Sequence, residues 1–179
     1  MELKGFAMNG IILYGTCYGS AKQYADELSR RTGLMSVSYE DAGDLSAYDR
    51  IVYIGSLYAG GVLGMAETLG KLADWQSKQI VIATVGLADT SDAENIANIR
   101  KGMLRQLSAA FLDHAKLVHL RGGIDYSRLS MKHKVMMGLL YRKAKNLPPE
   151  KKTAEVRAMI DTYNQVVDFV DLSRVEELL

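Results

Sequence analysis

The sequence predicts an α/β fold of three layers, with a five-stranded parallel sheet in the order 2-1-3-4-5 between two layers of helices. Two observations point there. Short β-rich apolar runs alternate with longer stretches of helical period, the signature of βαβ units. The other common order for such units needs six strands and a glycine fingerprint, and this chain has neither. The strand candidates are Ile11 to Tyr14, Ser36 to Tyr39, Ile51 to Ile54, Ile80 to Thr84 and Lys116 to Leu120.

Each intervening segment has its own signal. Ser20 to Arg31 sets Tyr24, Ala25 and Leu28 on one face, with Gly33 placed to stop the helix. Leu63 to Trp75 and Asp92 to Phe111 read as the next two helices, the second carrying Ile96, Ile99, Met103, Leu104, Leu107 and Phe111 at i, i+3, i+4 spacing. After the fifth strand come a loop over Gly122 to Leu129 and a basic, Met-rich segment over Ser130 to Lys145. Pro148 and Pro149 then punctuate the chain, and a last helix over Lys151 to Val170 completes the fold. The whole chain, 1–179, is expected to be one domain, with 1–8 as an N-terminal extension and 122–147 as an insert before the last helix.

Composition narrows the function classes. The 48% of hydrophobic and 24% of charged residues are those of a globular protein. The single cysteine, Cys17, forms no internal disulfide, and no Cys/His set has zinc-ligand spacing. No stretch reaches the roughly 18 apolar residues that cross a bilayer, so a cytoplasmic setting is expected. Net charge is +1, yet Arg128 to Lys145 contains six Lys or Arg residues and no acid, which leaves the rest of the chain acidic. As a helix, that segment would gather Met131, Val135, Leu139, Met136 and Leu140 on one side and Lys132, Arg142, Lys143 and Lys145 toward the other. Such a helix could rest on an anionic membrane at its inner face or on a protein partner, or pack its methionines on the domain. His133 reads as a solvated helix residue. Nucleic acid is not an expected partner.

The chemistry-bearing segment is the loop after the first strand, Thr16-Cys17-Tyr18-Gly19-Ser20-Ala21. At a strand-to-helix junction the free N–H groups and the positive end of the helix dipole make an anion site, to which Thr16 and Ser20 add hydroxyls. A Walker loop would need Gly-Lys-Ser/Thr at its end and a dinucleotide fingerprint a glycine at position 17, and both fail. A cysteine phosphatase would need an arginine six positions after Cys17, where Gln23 stands. A phosphate monoester held by neutral donors fits the loop, and so does a capped strand-to-helix turn with no ligand.

This loop resembles that of the flavodoxin family. The family's TxTGxT pattern is met by Thr16 and Gly19, with Ser20 as a further hydroxyl, and is departed from at Tyr18 and Ala21, where the pattern has threonines. The resemblance implies a non-covalent flavin mononucleotide (FMN), with its ring between two walls at the ends of the third and fourth strands. The first wall is Ser56-Leu57-Tyr58-Ala59-Gly60, with Tyr58 as stacking residue and Gly60 as backbone contact. The second is Thr84-Val85-Gly86-Leu87, whose amides would face the pyrimidine edge of the ring, with Asp89 either part of it or a helix cap. From Gly122-Gly123-Ile124-Asp125-Tyr126-Ser127-Arg128 through Met131 to Lys145, and in Ile54-Gly55-Ser56-Leu57, the chain looks like the bacterial menaquinone-dependent protoporphyrinogen oxidases. That likeness implies porphyrinogen oxidation linked to a quinone, with Tyr126 and Arg128 bordering the substrate entrance. Two further readings stay open: an electron-shuttle flavodoxin that docks to redox partner proteins, and an FMN-free interaction domain.

Overall fold

The computed structural model describes residues 9–179; the expected extension, 1–8, lies outside the described residues. Five parallel strands form the main sheet: β1 (Gly10–Gly15), β2 (Met35–Ser38), β3 (Arg50–Tyr58), β5 (Gln79–Gly86) and β6 (Lys116–Arg121). Their order, β2-β1-β3-β5-β6, is the expected 2-1-3-4-5. A two-residue strand, β4 (Gly61–Val62), folds back antiparallel on the end of β3. The central strands are apolar on both faces, as burial from two sides requires. On one face Leu13, Ile51, Tyr53 and Ile82 pack with Met65, Met103 and Phe111, and on the other Ile12, Val52, Ile54 and Ala83 pack with Tyr24 and Leu28.

Helix α1 (Ser20–Thr32) runs as predicted and stops at Gly33, whose φ of 74° is left-handed. The next two helical expectations need correction. Over Leu63 to Trp75 only one α-helical turn forms, α2 (Met65–Thr68), followed by 3-10 turns, because Thr68, at φ −109° and ψ −79°, departs from helical angles while its hydroxyl bonds back to Gly64 O. The expected helix Asp92 to Phe111 is two helices, α3 (Ala93–Met103) and α4 (Ala109–His114), since Ser108 caps the second by accepting from Phe111 N. The break between them frees the Gln106 amide to bond both N–H and C=O of Val62, as a strand would.

The C-terminal region departs most. After β6 the chain forms β7 (Gly123–Asp125), α5 (Met131–Lys145), α6 (Ala154–Asp161) and β8 (Val166–Asp168), and β7 pairs antiparallel with β8. The insert therefore does not end at 147; it is a closed excursion over 126–165 clasped by two short strands. The expected last helix over Lys151 to Val170 ends early because Asn164, with φ 59°, turns the chain into the β-prone Val166-Val167. The sheet face beside α1 is closed instead by a terminal 3-10 helix, Leu172–Leu178, which buries Val175 and Leu178 completely.

Candidate functional site

Loops from the carboxyl ends of β1, β3 and β5 meet at the top of the sheet, where a strand order that reverses opens a crevice. At the first, Gly15 lies so close to Leu63 O that a Cβ would collide with it. The Thr16 hydroxyl then accepts from Gly19 N at 2.9 Å and Cys17 N reaches Ser56 Oγ at 3.4 Å, which fixes the loop. Gly19, at φ 94°, precedes α1 without a side-chain cap, and Gln23 N is the first amide to bond back, to Gly19 O. The amides of Ser20, Ala21 and Lys22 are thus the orphan donors of the helix start. Burial pushes the Cys17 thiol above its ordinary value, away from a nucleophilic thiolate.

The β3 wall is a tight hairpin rather than an open loop: Ala59 and Gly60 both have positive φ, as a two-residue strand reversal requires. Tyr58 projects from it, 47% exposed. Gly60 turns the other way, its carbonyl taking a hydrogen bond from Arg105. On the β5 wall, Gly86 O accepts from Gly122 N at 2.7 Å and Leu87 O from Arg121 Nη2 at 2.7 Å. Arg121 in turn lies over the Phe169 ring at 3.8 Å.

Between these walls lies a cleft of about 400 Å³. Of the sequence-predicted residues it brings together Cys17, Tyr18, Ser20, Ser56, Leu57, Tyr58, Ala59, Val85, Gly86 and Leu87. Thr16, Gly19 and Ala21 do not line it; they lie in the β1–α1 loop and the first turn of α1. Nor does Thr84, whose hydroxyl shares a 2.7 Å hydrogen bond with Nδ1 of His119, its partner on β6. Asp89 points away, accepting from Ser91 N and Oγ, while Asp92 caps α3.

Sequence reasoning missed the outer wall. Met136, Met137, Leu140, Val156 and Met159 close the cleft from the insert, beside Ile124 of β7, and Glu155 enters it from α6. The α5 face also differs from the expected one: Met137 and Ala144 are buried, whereas Met131, Val135 and Leu139 are 74%, 60% and 63% exposed. Helical spacing named the stripes; which one turns inward depends on the β7–β8 clasp, which no local pattern announced. Ser20 takes part in that clasp, its Oγ accepting from Gly123 N at 2.9 Å.

Tyr126 is not at an entrance. It is 5% exposed, packed edge-on to Tyr163 at 5.4 Å, and its hydroxyl has no hydrogen-bond partner among the described residues. A buried, unpaired hydroxyl costs about 1–3 kcal/mol. Tyr126→Phe is therefore expected to raise the melting temperature by roughly 2–4 °C for about 1 kcal/mol regained. The same burial pushes the phenol from 10.0 up to about 12. A folded-state pKa raised in this way contributes stability that is full below pH 10 and is lost as pH rises toward 12. The gap between the Phe variant and the unmodified protein should widen over that window in thermal melts. Arg128 is exposed and free to meet solvent, and His133 is held by Ser130 Oγ at 2.9 Å, in keeping with a solvated helix residue.

A family model described as a flavodoxin domain matches residues 11–150. No curated protein sequence matches the chain. Among solved structures, a mutant flavodoxin of Fusobacterium nucleatum bound to flavin mononucleotide is 16% identical with a TM-score of 0.44, covering 69% of this chain and 74% of its own. A flavoprotein of Lactobacillus acidophilus in complex with FMN is 13% identical with a TM-score of 0.38, covering 64% and 93%. An azoreductase of Bacillus anthracis is 6% identical with a TM-score of 0.44, covering 64% and 86%.

Proposed function

We propose, from the premise that this chain belongs to the flavodoxin family, that it is an FMN-binding oxidoreductase whose cofactor ring occupies the cleft over β1, β3 and β5. The observation that carries this reading is the uncapped start of α1 at the foot of an apolar cleft flanked by Tyr18 and Tyr58. The donors of Ser20, Ala21 and Lys22 would hold the phosphate, with Thr16 and Gly19 shaping the loop. Tyr58 would cover one ring face, and Val85, Gly86 and Leu87 would line an edge. Thr84 and Asp89 are outside this arrangement.

When bound, FMN supplies reversible one- or two-electron transfer. The chain's own residues bind and orient it and keep water from it. Glu155 is the carboxylate that reaches into the cleft, and no histidine lines it, so hydride or electron transfer without a dedicated protein acid fits best.

The finer reading is a quinone- or porphyrinogen-linked activity. Its support is the methionine-rich outer wall, which would face a flat apolar substrate, together with the likeness of 122–145 to protoporphyrinogen oxidases. An electron shuttle needs an open flavin edge, and the insert would stand across an edge seated in this cleft. The exposed stripe Met131, Val135 and Leu139, beside Lys132 and Arg142, supports peripheral contact with an anionic membrane, where a quinone would be met. No helix among the described residues is long and apolar enough to cross one. We read the chain as one domain bearing this insert.

Titrating the FMN-free protein with FMN should quench flavin fluorescence saturably, and the holoprotein, reduced with one equivalent of dithionite before each addition, should be reoxidised by 1,4-naphthoquinone with one quinone reduced per flavin in every cycle. Binding without quinone turnover would leave the shuttle reading; no binding at micromolar FMN would leave the interaction-domain reading.

A further inference from the structure

Glu155 makes the most specific polar contact in the cleft. One carboxylate oxygen accepts from Leu87 N at 2.9 Å and the other from Ala88 N at 3.1 Å. The same two oxygens stand directly above Gly86, 3.0 and 3.2 Å from where a Cβ would be. Leu87 belongs to the β5 wall, the group assigned above to the pyrimidine edge of the flavin, and Ala88 follows it directly. A flavin presents neighbouring carbonyl and ring-nitrogen acceptors along that edge, and a carboxylate is likewise a pair of acceptors on one rigid plane.

We propose that Glu155 is an internal stand-in for the cofactor edge, and that its carboxylate must leave the Leu87 and Ala88 amides for the flavin to seat. This rests on the FMN reading above. Three features favour exchange over permanent attachment. Two neighbouring amides, one on the cleft wall and one on the buried Ala88, need an acceptor whether or not a cofactor is present, and Glu155 supplies it. No Lys or Arg among the described residues forms an ion pair with Glu155, so no buried charge is stranded when it moves into water. Glu155 is itself only half-buried, so its side chain can swing out toward solvent while α6 keeps Val156 and Met159 against the cleft. Glu155 thus sets the affinity for FMN by competing with it.

The test is FMN titration of the full chain, followed by flavin fluorescence, for the unmodified protein, Glu155→Ala and Glu155→Gln, with thermal melts of each without FMN. Glu155→Ala should lower the Kd for FMN at least tenfold while lowering the melting temperature of the FMN-free protein. Glu155→Gln, which keeps one acceptor and guards against a folding defect, should shift both in the same direction by less. An unchanged Kd, or one raised by either variant, overturns the proposal and makes Glu155 a scaffold of the wall. Absence of saturable binding by all three proteins removes the flavin reading itself, and this inference with it.

Discussion

FMN is expected to bind the full chain roughly a hundredfold more tightly than riboflavin, which has the same ring and no phosphate. The expectation follows from the start of α1. Gly19 leaves the helix without a side-chain cap, so the phosphate would meet the amides of Ser20, Ala21 and Lys22 with no protein acceptor to displace. A hydrogen bond to a charged group contributes about 1.5–3 kcal/mol net, and a helix dipole about 0.3–1 kcal/mol more. Taking about 3 kcal/mol for the site gives a factor of roughly 150, at 1.4 kcal/mol per tenfold. No arginine or lysine lies within Thr16–Ala21, and the Lys22 ammonium is paired with Asp26 at 2.6 Å, so the preference should depend only weakly on ionic strength. Parallel titrations with the two flavins measure it. Equal affinities would remove the phosphate from this loop even if the ring still binds.

The comparison of two ligands is cleaner than a charge placed at position 20. Read from sequence alone, Ser20 is a free hydroxyl facing a phosphate. In the structure it is 6% exposed and tied to Gly123 across the clasp. Ser20→Asp would therefore break a structural contact and repel a phosphate at once.

The parts of the fold legible in sequence were those set by local periodicity. Apolar runs such as Ile51 to Ile54 must be covered on both faces, and Tyr24, Ala25 and Leu28 can share a core only on a helix. The parts that were not legible depend on contacts between distant residues. Gln106 substitutes for a strand at Val62, and Ser108 restarts a helix that spacing alone would have continued. Of the candidate site, the loops after β1 and β5 could be read, because strand-to-helix junctions carry their chemistry within a few residues, whereas the glycines after β3 marked a turn without showing that it is a hairpin. Glu155 could not: its partners, Leu87 and Ala88, lie in another unit of the chain. The exception is β8, where Val166-Val167 and the turn-forming Asn164 were a strand signal inside a segment read as helix.

Replacing residues 126–165 by an Asn-Gly turn between Asp125 and Val166 is expected to leave a protein that still unfolds in one cooperative transition. Asp125 and Val166 are register partners, and a two-residue turn of this composition is the favoured closure for such a pair. Neither principal core contains a residue of the insert: one gathers around Leu13, Tyr53 and Met103, the other around Ile12, Tyr24 and Val175. The insert packs instead within a third cluster, Ile124, Tyr126 and Met137, which touches the sheet domain through Leu87. Deleting it uncovers Ile124 and Val167, a loss of a few apolar contacts against a core left whole. The FMN site should survive, since its phosphate loop and both walls lie outside 126–165. Turnover of naphthoquinone should fall at least tenfold, because Met136, Met137, Leu140, Val156 and Met159 form the wall that would hold a second flat molecule against the ring. Circular dichroism melts, FMN titration and quinone reduction separate the outcomes. A chain that fails to fold would make the insert part of the domain's core, and undiminished turnover would place the second substrate elsewhere.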